Sequence, residues 1–258
     1  MNAPRQPRTI LVTGATGAIG GALALEYAAP GVLLLLQGRD PEALATLAVA
    51  CRALGAEVQV AALDVTDRAA YLAWLQEAAQ TRLPDLVILA AGINQHPASP
   101  RQPESLNAVA HLFAVNVAAI FLAMDCLVPA MQRRGHGQIA LLSSLAAWFG
   151  LPMAPAYSAS KAALRAYGEA LRPLLEPTGV KINVVMPGYV SSRMCDEMPG
   201  PKPWRWTAPR AARRIRIGLD SDQSRIAFPF LLDLGCRALA VMPARFANAL
   251  LRLLGFGA

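Results

Sequence analysis

Residues Thr9 to Ala28 set a β-branched apolar run, a glycine-rich turn and an apolar helix in immediate succession, and that order leaves few folds open. Thr9-Ile10-Leu11-Val12-Thr13 reads as a short buried strand, Gly14 to Gly21 as the turn, and Ala22 to Ala28 as the helix. A unit of this kind opens a parallel sheet. Its glycines let backbone N–H groups and the helix N-terminus approach a pyrophosphate. Gly14, Thr16, Gly17 and Ile19 are therefore expected against a dinucleotide. The spacing is TGxxxGxG, with Ala18 where the middle glycine would stand, so a methyl group narrows the approach of the diphosphate.

The same alternation continues. Apolar runs at 32–37, 58–65, 86–92, 138–144 and 180–188 read as further buried strands, and alanine- and leucine-rich stretches near 41–54, 67–80, 104–132 and 156–176 as helices. The fold class is α/β: a doubly wound parallel sheet covered on both faces, with ligands at the C-terminal ends of the strands. The second strand ends in Gly38-Arg39-Asp40. An NAD site usually places a carboxylate there to hold the ribose 2′-hydroxyl. Gly38 has none, and Arg39 can pair with a 2′-phosphate and stack on adenine, so NADP(H) is expected over NAD(H), with NAD(H) still admissible. Asp40, before Pro41, reads as a helix N-cap.

Lysine stands at only three positions, 161, 181 and 202, and Lys161 follows Tyr157 by four residues. On a helix that spacing puts both on one face. A free phenol titrates at about 10, and a fixed cation beside it favours the phenolate, which suits Tyr157 to acid–base work. Ser143 and Ser144 lie thirteen to fourteen residues upstream.

Together these residues resemble the short-chain dehydrogenase/reductase family. The likeness runs from about Arg8 to Ser192, through Thr13-Gly14, Gly20, Asp64-Val65, Ala90-Ala91-Gly92, Asn116-Val117, Ser143-Ser144, Tyr157, Lys161 and Pro187-Gly188-x-Val190-x-Ser192. It implies a Rossmann sheet with a C-terminal helical extension, and hydride transfer between a nicotinamide cofactor and a small-molecule carbonyl/alcohol pair. By the resemblance, Tyr157 exchanges a proton with the substrate oxygen, Ser144 polarises the carbonyl, and Lys161 holds the nicotinamide ribose and depresses the tyrosine pKa. Asn116 supports a water relay at a helix kink, while Ser143 is structural. Asp64 faces the adenine amino group and Val65 offers a backbone contact. Ala91 and Gly92 lie along the ribose, and Pro187, Gly188 and Val190 flank the nicotinamide. Two departures stand out. The usual Asn-Ala-Gly reads Ala90-Ala91-Gly92, losing an amide that braces the sheet, and Ser192 replaces a threonine that holds the nicotinamide amide.

With 55% hydrophobic content, residues 1–258 read as one domain. Within it, 1–7 is a flexible tail without a signal-peptide core, 189–225 a flap over the substrate, and 226–258 the helical extension. No uninterrupted apolar run of membrane-spanning length is seen. The four scattered cysteines suit a reducing cytoplasm without disulfides, and His96, His111 and His136 are isolated and form no metal set. Basic and acidic side chains number 13 and 12 over residues 1–188 but 11 and 5 over 189–258.

In the flap, Met194, Met198, Trp204 and Trp206 either meet a bulky apolar substrate or anchor the loop on the core. Thr207 is expected to cap a helix whose Arg210, Arg213 and Arg214 share a face, either as a solvated surface or as an attraction for an anionic group. Beyond the last strand, Arg225 to Pro229, two leucine-rich helices (229–242 and 243–254) carry Arg237, Arg245 and Arg252. They can cover the cleft, form a homodimer seam or rest on a membrane as a peripheral contact. The alternative function is a nucleotide-binding membrane-surface or assembly protein acting through those helices. No nucleic-acid recognition motif accompanies the arginines.

Overall fold

A computed structural model describes residues 7–95 and 102–256; His96 and the first six residues of the expected tail lie outside them. Seven strands form one parallel sheet in the order β3-β2-β1-β4-β5-β6-β7. They are β1 (Thr9–Thr13), β2 (Leu33–Gly38), β3 (Glu57–Ala62), β4 (Leu86–Leu89), β5 (Gly137–Leu142), β6 (Val180–Pro187) and β7 (Arg225–Phe228). The helices are α1 (Ala18–Tyr27), α2 (Pro41–Ala53), α3 (Arg68–Thr81), α4 (Leu106–Phe113), α5 (Ala119–Arg134), α6 (Pro155–Leu175), α7 (Arg193–Glu197), α8 (Ala208–Asp220), α9 (Phe230–Val241) and α10 (Ala244–Leu253).

The apolar runs feed both faces because side chains alternate along a strand. Ile10 and Val12 of β1, with Leu34 and Leu36 of β2, join the core beneath α1, α2 and α8. Leu11, Leu33 and Leu35 enter the opposite core beneath α3, α5 and α6. β3 has only one neighbour, and it exposes Glu57 and Gln59 there. The chain winds outward from β1 to β3, then crosses back to β4 on the other side of β1. That reversal opens a crevice above the C-terminal ends of β1 and β4, where this topology binds ligands.

Local chemistry sets the helix starts. The Asp40 carboxylate accepts from the N–H groups of Glu42 and Ala43, both at 3.0 Å, with Pro41 next in the chain. Thr207 occupies the cap position of α8, but its hydroxyl makes no capping bond; Pro209 in the first turn does without an N–H donor instead. The arginines of α8 are largely occupied. Arg210 stacks on Trp206 at 4.0 Å, Arg214 donates to Gln223 at 2.8 Å, and Arg216 reaches the Glu26 carbonyl.

Leu106–Arg134 forms a 29-residue helical run, long and apolar enough by length and composition to cross a membrane. Asn107, His111, Asn116 and Asp125 interrupt it, so it is not the uninterrupted apolar run whose absence the sequence shows. Its side chains Ile120, Ala123, Met124, Leu127 and Met131 pack into the core under the sheet, as a central helix of this fold requires.

The extension folds as two helices parted at Pro243, and α9 packs on β7 and on the short 3₁₀ turn Leu145–Ala147. One cluster pins it. The Trp148 indole N–H donates to the Asp233 carboxylate at 2.9 Å, and Arg237 pairs with the same carboxylate at 2.6 Å. The guanidinium groups of Arg165, Arg225 and Arg237 lie 4.5, 4.9 and 5.2 Å from the indole ring.

Candidate active site

Helix α6 carries Tyr157 and Lys161 one turn apart near its N-terminus. The Glu104 carboxylate, 52 residues earlier, accepts from the Ala156 N–H at 3.2 Å and closes that end. Ser143 donates to the Lys161 carbonyl at 2.7 Å, a strut between β5 and α6 that fits its expected structural role. The Lys161 side chain is buried, and its ammonium donates to the Leu142 carbonyl at 2.8 Å. Burial lowers its pKa to about 8.

Tyr157 departs from the expectation. Burial of the phenol raises its pKa, the Ser144 hydroxyl pulls it back, and Cys195 adds to the rise. The net direction is upward despite the neighbouring lysine. The ammonium lies 5.6 Å from the phenol ring centroid and points to a backbone carbonyl, and the same dry surroundings that resist a phenolate also resist the cation.

Ser144 lies two residues beyond the end of β5. Its oxygen accepts from the Ala146 N–H at 3.1 Å and its hydroxyl faces the Pro187 carbonyl at 3.5 Å. Asn116 sits in a π-helical turn, Ala114–Ala118, which is the kink expected in that helix. Its amide accepts from Ile93 N–H at 2.8 Å and donates to the Ile93 carbonyl at 3.0 Å and to Ser160 at 3.1 Å. It is fully buried and lies behind the walls of the two cavities that meet at Tyr157.

The glycine turn forms a cradle of backbone. Gly14 has φ +64°, and a Cβ there would stand 2.7 Å from the Ala91 Cα. A Cβ on Gly20 would overlap the Gly14 carbonyl. Gln37, buried at the end of β2, was not anticipated from the sequence. It accepts from the Gly14 N–H at 3.1 Å and donates to the Leu63 carbonyl at 2.7 Å, tying the cradle to the exit of β3. Thr13 accepts from the Ala91 N–H at 3.2 Å, so a hydroxyl braces the turn after β4 where the family's amide is absent.

Asp64 accepts from the Thr66 N–H and hydroxyl at 2.8 and 2.7 Å. Burial raises its pKa, but those bonds together with Arg39 and His111 leave it below the ordinary carboxylate value. Arg39 stands 3.9 Å from it, two-thirds exposed.

Two cavities meet at Tyr157. The first, of 440 Å³, is lined by Gly14, Thr16, Gly17, Ile19, Gly38, Arg39, Asp64, Val65, Ala91, Gly92, Lys161, Pro187 and Val190 as well as Tyr157. Of the residues expected around the cofactor only Gly188 is missing, and it lines the second cavity. Ala18 belongs to the first wall without dividing it. The glycine-lined cradle, with Arg39 at its edge, fits a dinucleotide.

The second cavity, of 560 Å³, is lined by Ser144, Tyr157, Tyr189 and a ring of apolar side chains, with no charged residue among the described residues that line it. Leu232, Cys236 and Leu239 of α9 and Leu250 and Leu251 of α10 form its roof, so the extension covers the cleft. No local pattern in either helix marks the side that faces it. The two flap tryptophans divide between the two readings: Trp204 lines this cavity, whereas Trp206 stacks on Phe228 at 4.9 Å in the core. Burial raises the Tyr189 phenol to about 12, with Cys236, Cys195 and Tyr157 adding to it. Ser192 borders both cavities, but its hydroxyl caps α7, accepting from Cys195 N–H at 3.0 Å.

A parallel sheet with a glycine cradle at its switch point and a Tyr-Lys pair beside it defines an oxidoreductase of the Rossmann class. The short chain dehydrogenase family profile matches residues 8–201, and the chain belongs to that family. An uncharacterized oxidoreductase of Myxococcus xanthus is 32% identical over 248 residues, covering 96% of this chain and 97% of its own. A short-chain dehydrogenase from Sphingobium yanoikuyae, solved with NADPH, shares the fold with a TM-score of 0.80 at 22% identity, over 95% of each chain. A putative NAD(P)-dependent gluconate 5-dehydrogenase from Beutenbergia cavernae, solved with bound NADP at low occupancy, superposes with a TM-score of 0.77 at 26% identity, over 90% of this chain and 97% of that one.

Proposed function

We propose that the protein interconverts an apolar ketone or aldehyde and its alcohol, using NADP(H) in preference to NAD(H). The observation that carries this reading is the meeting of the two cavities at Tyr157: one is a glycine cradle with Arg39, Asp64 and Lys161 on its wall, the other has no charged side chain among the described residues that line it. A bound nicotinamide would supply or accept the hydride. The protein's own part is the proton and the positioning. The Tyr157 hydroxyl donates its proton to the carbonyl oxygen as the alcohol forms, and takes it back in the reverse direction. The Ser144 hydroxyl hydrogen-bonds the same oxygen and polarises the bond. Lys161 would hold the ribose hydroxyls, and Asn116 would keep the Ile93 turn in place beside a water path. Gly14, Gly17 and the start of α1 would receive the diphosphate.

NADP(H) is favoured by two features at the end of β2. A Cβ on Gly38 would lie 2.9 Å from the Thr16 methyl, which leaves little room for a 2′-hydroxyl-binding carboxylate. Arg39 is exposed at the cavity edge, free to swing toward a 2′-phosphate. The four free thiols suit a cytoplasmic setting.

The test is a pair of titrations, NADPH and NADH, on the wild-type chain and on Arg39→Ser, read by quenching of the tryptophans, followed by NADPH oxidation with a panel of ketones. NADPH should bind the wild type about tenfold or more tighter than NADH, and Arg39→Ser should remove that gap. Equal binding of the two by the wild type would overturn the cofactor assignment. Binding without turnover of any ketone would overturn the substrate assignment.

A further inference from the structure

The outer faces of α9 and α10 differ from the rest of the surface. Phe230, Leu234 and Val241 recur at helical spacing along α9 and are 74%, 53% and 86% exposed. Phe246 and Leu253, two turns apart on α10, are 52% and 84% exposed. A patch of this kind on a protein surface marks an interaction site.

Charge identifies the occupant. Arg237, Arg245 and Arg252 are exposed on the same two helices. The one acidic side chain between residues 229 and 258, Asp233, is buried and paired with Arg237. The outward field of this face is therefore positive. A second copy of the chain, meeting it about a two-fold axis, would set this basic face against itself. An anionic bilayer satisfies both features: the apolar side chains enter the boundary between headgroups and acyl chains, while the arginines extend to lipid phosphates.

The substrate cavity adds a third observation. Leu231, Leu254 and Trp204 are all more than half exposed, yet they line it. Leu231 follows Phe230 and Leu254 follows Leu253 in the chain, so the rim of the cavity and the patch are carried by the same two helical segments.

We propose that α9 and α10 dock this protein on an anionic lipid surface, with the mouth of the apolar cavity turned toward the bilayer. The docking is independent of the redox reading, because it is measured without turnover. The experiment is co-sedimentation of the full chain with vesicles of phosphatidylcholine, alone or mixed with phosphatidylglycerol. The chain should pellet with the mixed vesicles and be released by high salt. Arg245→Glu/Arg252→Glu should weaken that binding about tenfold or more. Leu234→Glu/Phe246→Glu/Leu253→Glu should abolish it, with cofactor binding and thermal unfolding showing that the variant is folded. Failure of the wild type to pellet with mixed vesicles would overturn the proposal. So would light scattering that shows a wild-type dimer, lost in the triple variant, in a chain that ignores vesicles; the face would then belong to a second copy.

Discussion

The two cavities that join at Tyr157 are built from different materials. On the cofactor side the essential surfaces are backbone: Gly14 pressed against Ala91, Gly20 under the Gly14 carbonyl, and Gln37 tied to the peptide groups of Gly14 and Leu63. On the substrate side the walls are mostly side chains, the greater part of them from the turn after β5, the flap, α9 and α10. A backbone surface accepts almost no substitution, because nothing in it can be trimmed or rotated away. A side-chain surface can change shape one residue at a time. One half can thus be strict about its ligand while the other is adjustable.

The largest test of this contrast is the residue common to both halves. Tyr157→Phe should lower kcat by about 10² to 10⁴-fold, the range for a lost acid–base group, with cofactor affinity changed little in fluorescence titration. Retained turnover would mean that the proton travels by another route.

The next effect is linked to pH. Lys161 titrates at about 8 in the folded chain, against about 10.5 for an unperturbed lysine, so between those values the unfolded chain binds more protons. The contribution of this lysine to stability therefore rises with pH across that window. Chemical denaturation of the wild type and Lys161→Met should show their difference moving in the wild type's favour by about 2–3 kcal/mol from pH 7 to 10.5. A flat difference would mean that water reaches the ammonium.

Two glycines sharpen the comparison further. Gly14→Ala adds a methyl group at positive φ against the Ala91 backbone, and should destabilise the fold by about 1–3 kcal/mol and weaken the cofactor. Gly235 lines the substrate cavity from α9, and a Cβ there meets no atom within 4 Å. Gly235→Ala should raise stability by about 0.5–1 kcal/mol, the helix-propensity gain alone, with turnover nearly unchanged. Thermal unfolding of both variants checks the pair, and equal penalties would erase the distinction between the halves.

The same contrast explains what could be read from the chain. The strand alternation, the glycine turn, the Asp40 cap and the Tyr157–Lys161 pair are set within a few residues of sequence, and each was legible there. Gln37, Glu104 and Trp148 act on partners that only the folded sheet brings near. Gln37 could have been suspected as a polar residue closing an apolar strand, but Glu104 and the Trp148–Asp233 bond carry no local signal. The tyrosine pKa eluded the sequence for a related reason. The i to i+4 spacing fixes which residues are neighbours but not where an ammonium points, and here it turns to the Leu142 carbonyl.

The roof pinned at Trp148 has a consequence for how such a protein can diversify. The family match ends at residue 201, whereas the first roof helix begins at Phe230. The ceiling rests on β7 and the 3₁₀ turn and is tied to them by one indole, one carboxylate and three guanidinium groups. A lineage that recasts α9 and α10 while keeping that suspension point could acquire a new substrate range without reopening the chemistry at Tyr157.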